Sequence, residues 1–397
     1  MTTKATPEVL PLTALRFFLA SWIVIYHVES NLPAFLNNHP TGFTPFRNTL
    51  LCAYVAVGIF FALSGFILAL NYPLDRLWDA AMRWKFAVAR FSRIYPVYLL
   101  GLVLIAPLIV GNAIADHSLP RHGASLGLNL LMLQAWVPRA AVSWNGPGWS
   151  LSNEAFFYLC FPFIGAPLYR LSSVRKALLA FLGLWALELI PPAVTVLAHV
   201  HGFGDAMATA QPADTSFVSF ISFNPLLNLP IFLSGILACR IYLLLKQSGT
   251  LEGQGYKIYL PSLAVLFALT SLGNHIFFPI MRGGLILPSA IGVIVGLAMG
   301  DRYLGALMSN RVLVFLGKAS YAEYLLHFPV GTAFNKLGLQ WTPLNLAGYF
   351  AAVLAVSALV FHFYEEPLQR KLRNLLLPRR IPPIATPSIA TSSFTAG

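Results

Sequence analysis

Ten apolar stretches, each long enough to form a helix across a hydrocarbon layer, punctuate the chain. They lie at about 11 to 30, 50 to 70, 94 to 114, 154 to 171, 177 to 199, 225 to 245, 257 to 273, 284 to 300, 318 to 335 and 343 to 364. Those at 154 to 171 and 257 to 273 are the weakest, and Ser125 to Val137 reads as an interfacial or re-entrant piece. The pattern predicts an all-α fold, a polytopic transmembrane helix bundle of about ten spans. No internal repeat is evident. Residues 1–377 are expected to form a single membrane-embedded domain, and 378–397, rich in Pro, Ser, Thr and Ala, a disordered tail.

Within the first stretch the pattern is broken twice, by Arg16 and His27. Eleven residues at about 100° each return to nearly the same helix face, roughly 16 Å along the axis, so both side chains point the same way. Ionisable groups in lipid are costly, which makes such a pair a candidate functional site. The competing reading is that Arg16 reaches to the interface while His27 hydrogen-bonds within a bundle.

Composition agrees with a membrane protein. Of 397 residues 57% are hydrophobic and 10% charged, and the mean hydropathy is +0.70. The formal net charge of +12 resides in short loops, as membrane topology requires, and is read as orientation, with no nucleic-acid partner. Twenty Lys and Arg fall in one set of alternate loops and five in the other, with Arg16 inside the first span, so both termini are expected in the cytoplasm. Cys52, Cys160 and Cys239 lie in apolar segments and form neither a disulfide framework nor a metal-ligand spacing. The first ten residues carry only Lys4 and Glu8 as charges, without a small-residue cleavage site, so the first span is expected to be retained.

Four further groupings carry chemistry. Arg90-Phe-Ser-Arg93 sets two guanidiniums at i and i+3, just before Tyr95-Pro96 opens the third span. Two planar forks of donors suit a phosphate or pyrophosphate, although a plain cationic anchor would look the same. Gly146-Pro-Gly-Trp-Ser-Leu-Ser-Asn-Glu154 breaks the chain, offers Ser150 or Ser152 as a helix cap and puts Glu154 in the first turn. Alternatively, Trp149, Ser150, Asn153 and Glu154 make an aromatic-edged polar pocket for sugar hydroxyls, facing His27. Glu323 and His327, at i and i+4, share a face and suit a mutual hydrogen bond within the membrane. Glu365-Glu366-Pro367 ends the last span, where one acid can pair with the inner arginines. His199 with His201, and His117 with His122, lack the spacing and companions of a metal site, so none is expected.

The order of these pieces is specific. Leu12-Thr-Ala-Leu-Arg16 through Tyr26-His27, Phe60-Phe-Ala-Leu-Ser-Gly-Phe66, Arg90-x-x-Arg93-Ile-Tyr-Pro96, Trp149-Ser-Leu-Ser-Asn-Glu154, Leu316-Gly-Lys-Ala-Ser-Tyr-Ala-Glu-Tyr-Leu-Leu-His327 and Tyr364-Glu365-Glu-Pro367 resemble the successive signatures of the acyltransferase-3 family. That resemblance, over about residues 10 to 373, implies a multi-pass enzyme of the cell membrane that acylates hydroxyls of carbohydrates, glycolipids or secreted small molecules. It implies an acyl-CoA donor, usually acetyl-CoA, as co-substrate with no tightly bound cofactor, and functional roles for Arg16, His27, Arg90 and Arg93. The sequence departs from the family at Thr13-Ala14, where Asp-Gly is common, at Gly58, where an acid is common, and at Glu323, where an apolar residue is usual.

The expected mechanism follows. CoA phosphates engage Arg90 and Arg93 with Tyr95 beside them, and the pantetheine arm passes Arg16. His27 acts as general base on an acceptor hydroxyl, with Glu154 orienting its ring. Trp149, Ser150, Asn153 and His327 complete the binding set. Direct transfer is expected because no Ser or Cys nucleophile stands next to a base. A multi-span transporter of a small anionic or sugar-containing solute is the alternative, as is a partner subunit of a polysaccharide exporter.

Overall fold

The computed structural model describes residues 8–28, 44–72, 74, 79–198, 215–249, 251–273, 276 and 278–377. Its elements are α1 (Leu10–His27), α2 (Thr44–Leu51), α3 (Ala56–Asn71), α4 (Ala80–Ala115), α5 (Leu119–Leu130), α6 (Trp149–Tyr169), α7 (Val174–Ala198), α8 (Thr215–Phe223), α9 (Leu229–Gln247), α10 (Tyr256–Ser271), α11 (Leu287–Met299), α12 (Arg311–Lys336), α13 (Pro343–Val360) and α14 (Glu366–Leu376). No strand occurs among the described residues. A helix occupies each of the ten apolar stretches, and α5 with the 3-10 turn Gln134–Trp136 occupies the interfacial one. Six helical segments among the described residues are long and apolar enough to cross a membrane, and α10 and α11 are shorter apolar helices. The segment 378–397 and the pair His199 and His201 lie outside the described residues.

Two proline signals are overruled. Tyr95-Pro96 does not open the helix that carries the third span, because α4 begins at Ala80, where the Asp79 carboxylate accepts from Met82 N at 2.7 Å, and runs through Pro96 and Pro107 for 36 residues. A proline removes one amide donor but is tolerated where neighbours re-satisfy the backbone. Around Pro96 the helix is tethered to its neighbours, with Tyr321 donating its hydroxyl to the Ile94 carbonyl and Tyr364 donating to Pro96 O at 3.3 Å. Glu365-Glu366-Pro367 likewise does not end the last helix. A π turn at Phe361–Glu365 absorbs the break and α14 continues beyond it.

Small residues hold the bundle together. α3 packs most extensively on α9, and α1 on α12. At the second crossing a methyl placed on Gly317 would collide with the Thr13 carbonyl, so backbone lies directly on backbone. At the first, Gly65 faces the Phe232 carbonyl and Gly235 the Ala62 carbonyl at the same close range. Large apolar side chains on the outer faces, among them Leu178, Leu179, Leu182, Leu187 and Ile190 of α7, are exposed. For a chain of this composition that apolar exterior is the lipid-facing surface.

Candidate active site

Three arginines from two helices line one cavity. Arg16 of α1 and Arg90 and Arg93 of α4 surround a space of about 800 Å³ together with Ser150, Glu154 and Tyr158 of α6 and Ser320, Tyr321 and Tyr324 of α12. Its apolar wall comes from α3, through Val57, Phe60, Phe61, Ile67 and Leu68. The Arg90 guanidinium rests 5.5 Å from the Tyr72 ring centre, 5.9 Å from Phe86 and 6.0 Å from Tyr158, and donates to the Tyr72 hydroxyl at 3.2 Å. Glu154 accepts from the Tyr158 hydroxyl at 3.1 Å. Three guanidiniums facing one carboxylate leave an excess of positive charge in this cavity, which suits an anion with several acceptor oxygens.

The sequence places Glu154 in the first turn of its helix, beneath a serine cap; the structure does not. The 3-10 turn Gly146–Gly148 feeds directly into α6 at Trp149, which has no side-chain cap, so Glu154 lies in the second turn. Ser150 donates to Pro147 O at 3.0 Å and meets the Tyr324 hydroxyl at 2.8 Å, while Ser152 donates to Met132 O at 2.6 Å. Both serines therefore pin the motif to its neighbours. Trp149 turns away from the cavity, edge-on to Phe61 and beneath the Arg282 guanidinium at 4.8 Å. Asn153 is fully buried, with both amide atoms unpartnered among the described residues, and Tyr95 donates to Leu130 O at 3.1 Å; neither lines the cavity.

His27 stands elsewhere, as the last residue of α1, exposed, with His327 of α12 beside it. His27 Nδ1 lies 3.0 Å from Ile23 O and 3.1 Å from His327 Nε2, and His327 Nδ1 lies 3.3 Å from Glu323 O. Only one arrangement of hydrogens serves all three contacts. Each Nδ1 carries its proton toward a carbonyl, His27 shares its proton with His327 Nε2, and the lone pair on His27 Nε2 has no partner among the described residues. Glu154 has no part in orienting this ring. The Glu323 carboxylate does not bond His327 either; it accepts from Ser21 at 2.7 Å, tying α12 to α1, and the histidine uses the backbone carbonyl of the same residue.

Tyr324 connects the two centres. It lines the arginine cavity, and its ring centre is 6.3 Å from that of His327 on the next turn of α12. The sequence reading passed over Tyr324, Tyr158 and Tyr321, although Tyr158 follows Glu154 at i+4 and Tyr324 precedes His327 at i+3, spacings that put each on the face of a residue already singled out. Glu365 is buried in the same region, with Oε2 unpartnered among the described residues, and forms no ion pair with Arg90 or Arg93.

Residues 11–362 match the family model described as an acyltransferase domain, Acyl_transf_3. The chain belongs to the acyltransferase-3 family. It is an O-acyltransferase and a membrane protein. The chain is 30% identical over 402 aligned positions to the acyltransferase MdmB of Streptomyces mycarofaciens, covering 96% of this chain and 95% of that protein. It is 25% identical over 340 positions to the peptidoglycan O-acetyltransferase OatA of Listeria monocytogenes, covering 80% of this chain and 51% of OatA. A shorter similarity, 44% identical over 117 positions, joins 26% of the chain to 61% of protein 2 in the picA locus of Rhizobium radiobacter. No solved structure matches the chain.

Proposed function

We propose that this acyltransferase-3 member moves an acyl group, acetyl in the simplest case, from acyl-CoA to a hydroxyl of a carbohydrate or glycosylated acceptor at the cell membrane. The observation that carries the reading is the convergence of Arg16, Arg90 and Arg93 on a cavity whose wall, Tyr324, adjoins the His27–His327 pair. The arginines bind the CoA phosphates by charge-assisted hydrogen bonds, and Glu154 with Tyr158 keeps the guanidiniums apart and directed inward. The thioester lies along the apolar wall toward Tyr324. His27 Nε2 takes the proton from the acceptor hydroxyl, the oxygen attacks the thioester carbonyl, the C–S bond breaks, and the departing thiolate takes that proton from the His27 imidazolium, restoring the free base. Ser150, through its contact with the Tyr324 hydroxyl at 2.8 Å, helps to position the wall nearest the acceptor.

Charge asymmetry supports ten spans with both termini cytoplasmic, so that the arginine cavity opens inward and His27 lies toward the outside. The peptidoglycan acceptor of OatA supports a carbohydrate here.

Acetyl-CoA supplied to the purified protein in lipid nanodiscs, with CoA thiol release and acyl product followed together, tests the reading. Turnover that disappears in His27→Ala is the expected result. Solute uptake into vesicles without release of CoA would overturn it in favour of transport.

A further inference from the structure

Pro329 lies inside α12, two residues beyond His327. A proline has no amide hydrogen, so the carbonyl four residues back, that of Leu325, loses its partner within the helix. Leu325 is fully buried, where an unpaired carbonyl is costly. The missing donor comes from outside the helix. Asn145, 180 residues away in sequence and 2% exposed, donates its Nδ2 to Leu325 O at 2.9 Å.

Asn145 stands before the 3-10 turn Gly146–Gly148, at the position where an asparagine commonly caps its own turn, yet its side chain makes no cap bond there. Its Oδ1 has no partner among the described residues, so the amide serves as a donor; turned over, it would set oxygen against oxygen. From α4, Gly101 comes up against the same amide: a methyl there would sit 2.7 Å from Nδ2. The next residue of the loop, Gly146, lies against the Phe328 ring, where a methyl would meet Cζ at 3.1 Å. Phe328 in turn stands 5.0 Å from the His27 ring and 5.2 Å from that of His327, centre to centre.

One turn of α12 thus carries the freed carbonyl, His327, the ring that flanks both histidines and the proline. It is held from outside twice, by Asn145 at Leu325 O and by Tyr349 of α13, which donates to His327 O at 3.0 Å. The contact of His327 Nε2 with His27 Nδ1 at 3.1 Å joins two helices, and a rotation of this turn about the helix axis carries the imidazole off it. We infer that Asn145 is a positioning residue: it stands in for the donor that Pro329 lacks, fixes the turn that bears His327, and through His327 holds His27 in place. The inference rests on the reading of His27 as the base.

The test uses the full chain in nanodiscs with 15N-labelled histidine, the imidazole signals of His27 and His327 being identified by their absence from His27→Ala and His327→Ala. Asn145→Leu keeps the branched shape and removes the donor. It should move the His327 Nε2 signal from the hydrogen-bonded toward the free-acceptor position. It should also lower kcat by about tenfold or more, as a misplaced catalytic group does, with donor KM within about twofold. Pro329→Ala returns an amide hydrogen to Leu325 O. In that background Asn145→Leu should be nearly silent, so that the double variant regains both the histidine signal and most of the rate. A double variant no better than Asn145→Leu alone, or an Asn145→Leu protein with wild-type histidine signals, would overturn the inference. Histidine signals that follow Asn145 in this way, in a protein without acetyl-CoA turnover, would leave the positioning device standing while removing the acyl-transfer reading.

Discussion

His27 and His327, three hundred residues apart in sequence, meet with Nδ1 of the first 3.1 Å from Nε2 of the second. Because both Nδ1 protons point at backbone carbonyls, the pair fixes the tautomer that leaves His27 Nε2 free to accept a proton. His27→Ala should therefore lower acyl transfer by about 10² to 10⁴, the usual worth of general-base catalysis, with membrane insertion unchanged. Acyl-CoA turnover at matched protein level measures this, and near wild-type turnover would remove His27 from the mechanism.

His327 acts through His27, so its replacements should separate by hydrogen-bonding capacity. His327→Ala should lower kcat by about 10- to 100-fold, as loss of an outer partner that fixes a histidine tautomer does, with little change in donor KM. His327→Gln, whose amide oxygen can accept the same proton, should recover part of the rate. Equal losses in both variants, at unaltered thermal stability, would contradict the tautomer assignment.

Arg90→Ala and Arg93→Ala should weaken donor binding, because a charge-assisted contact is worth roughly 1.5 to 3 kcal/mol. Titration with acetyl-CoA and with a dephosphorylated analogue separates phosphate recognition from fold damage. The single variants should lose most of the preference for the phosphorylated donor. Unchanged donor affinity in the double variant would reduce these residues to topological anchors.

Sidedness follows from the charge count. In a Cys-free background, single cysteines at Val142 and Gln340, both exposed, should react with an impermeant reagent from outside intact cells. Cysteines at the exposed Lys85 and Glu252 should react only after permeabilisation. The reverse pattern would invert the bundle and place the arginine cavity on the side that lacks CoA.

Gly317→Ala should be among the most damaging single-methyl changes in the protein, since the added carbon meets the Thr13 backbone and cannot be relieved by a rotamer change. Overpacking of this kind costs about 1 to 3 kcal/mol. A lowered thermal midpoint together with lost turnover is expected, because the same crossing of α1 and α12 sets the distance between the two histidines. Gly348→Ala, where open space surrounds the Cβ position, serves as the neutral comparison.

The helices were legible because lipid leaves few alternatives: an apolar stretch must satisfy its own backbone, and each of the ten became helical. Arg90 and Arg93 were readable as a pair from their spacing, and Arg16 as an intramembrane charge. Their convergence was not readable, since periodicity reports neighbours at i+3 and i+4 and says nothing of which helix faces which. Glu323 shows the limit from the other side. Its spacing from His327 was read correctly as one face, but the carboxylate found Ser21 of another helix and the histidine found the backbone. Pro96 reads as a local breaker, but α4 runs through it from Ala80, where the Asp79 side chain caps the first turn.

Where α1 meets α12, and α3 meets α9, peptide groups touch with no side chain between them. Surfaces meshed that tightly have no stroke: neither pair can slide or rock without first separating, so the scaffold resembles a fixed frame more than a set of gates. Machines that carry a solute across a membrane need one half to swing against the other. On the reading proposed above, such a frame leaves the travelling to the substrates, with the donor reaching along the arginine cavity toward Tyr324.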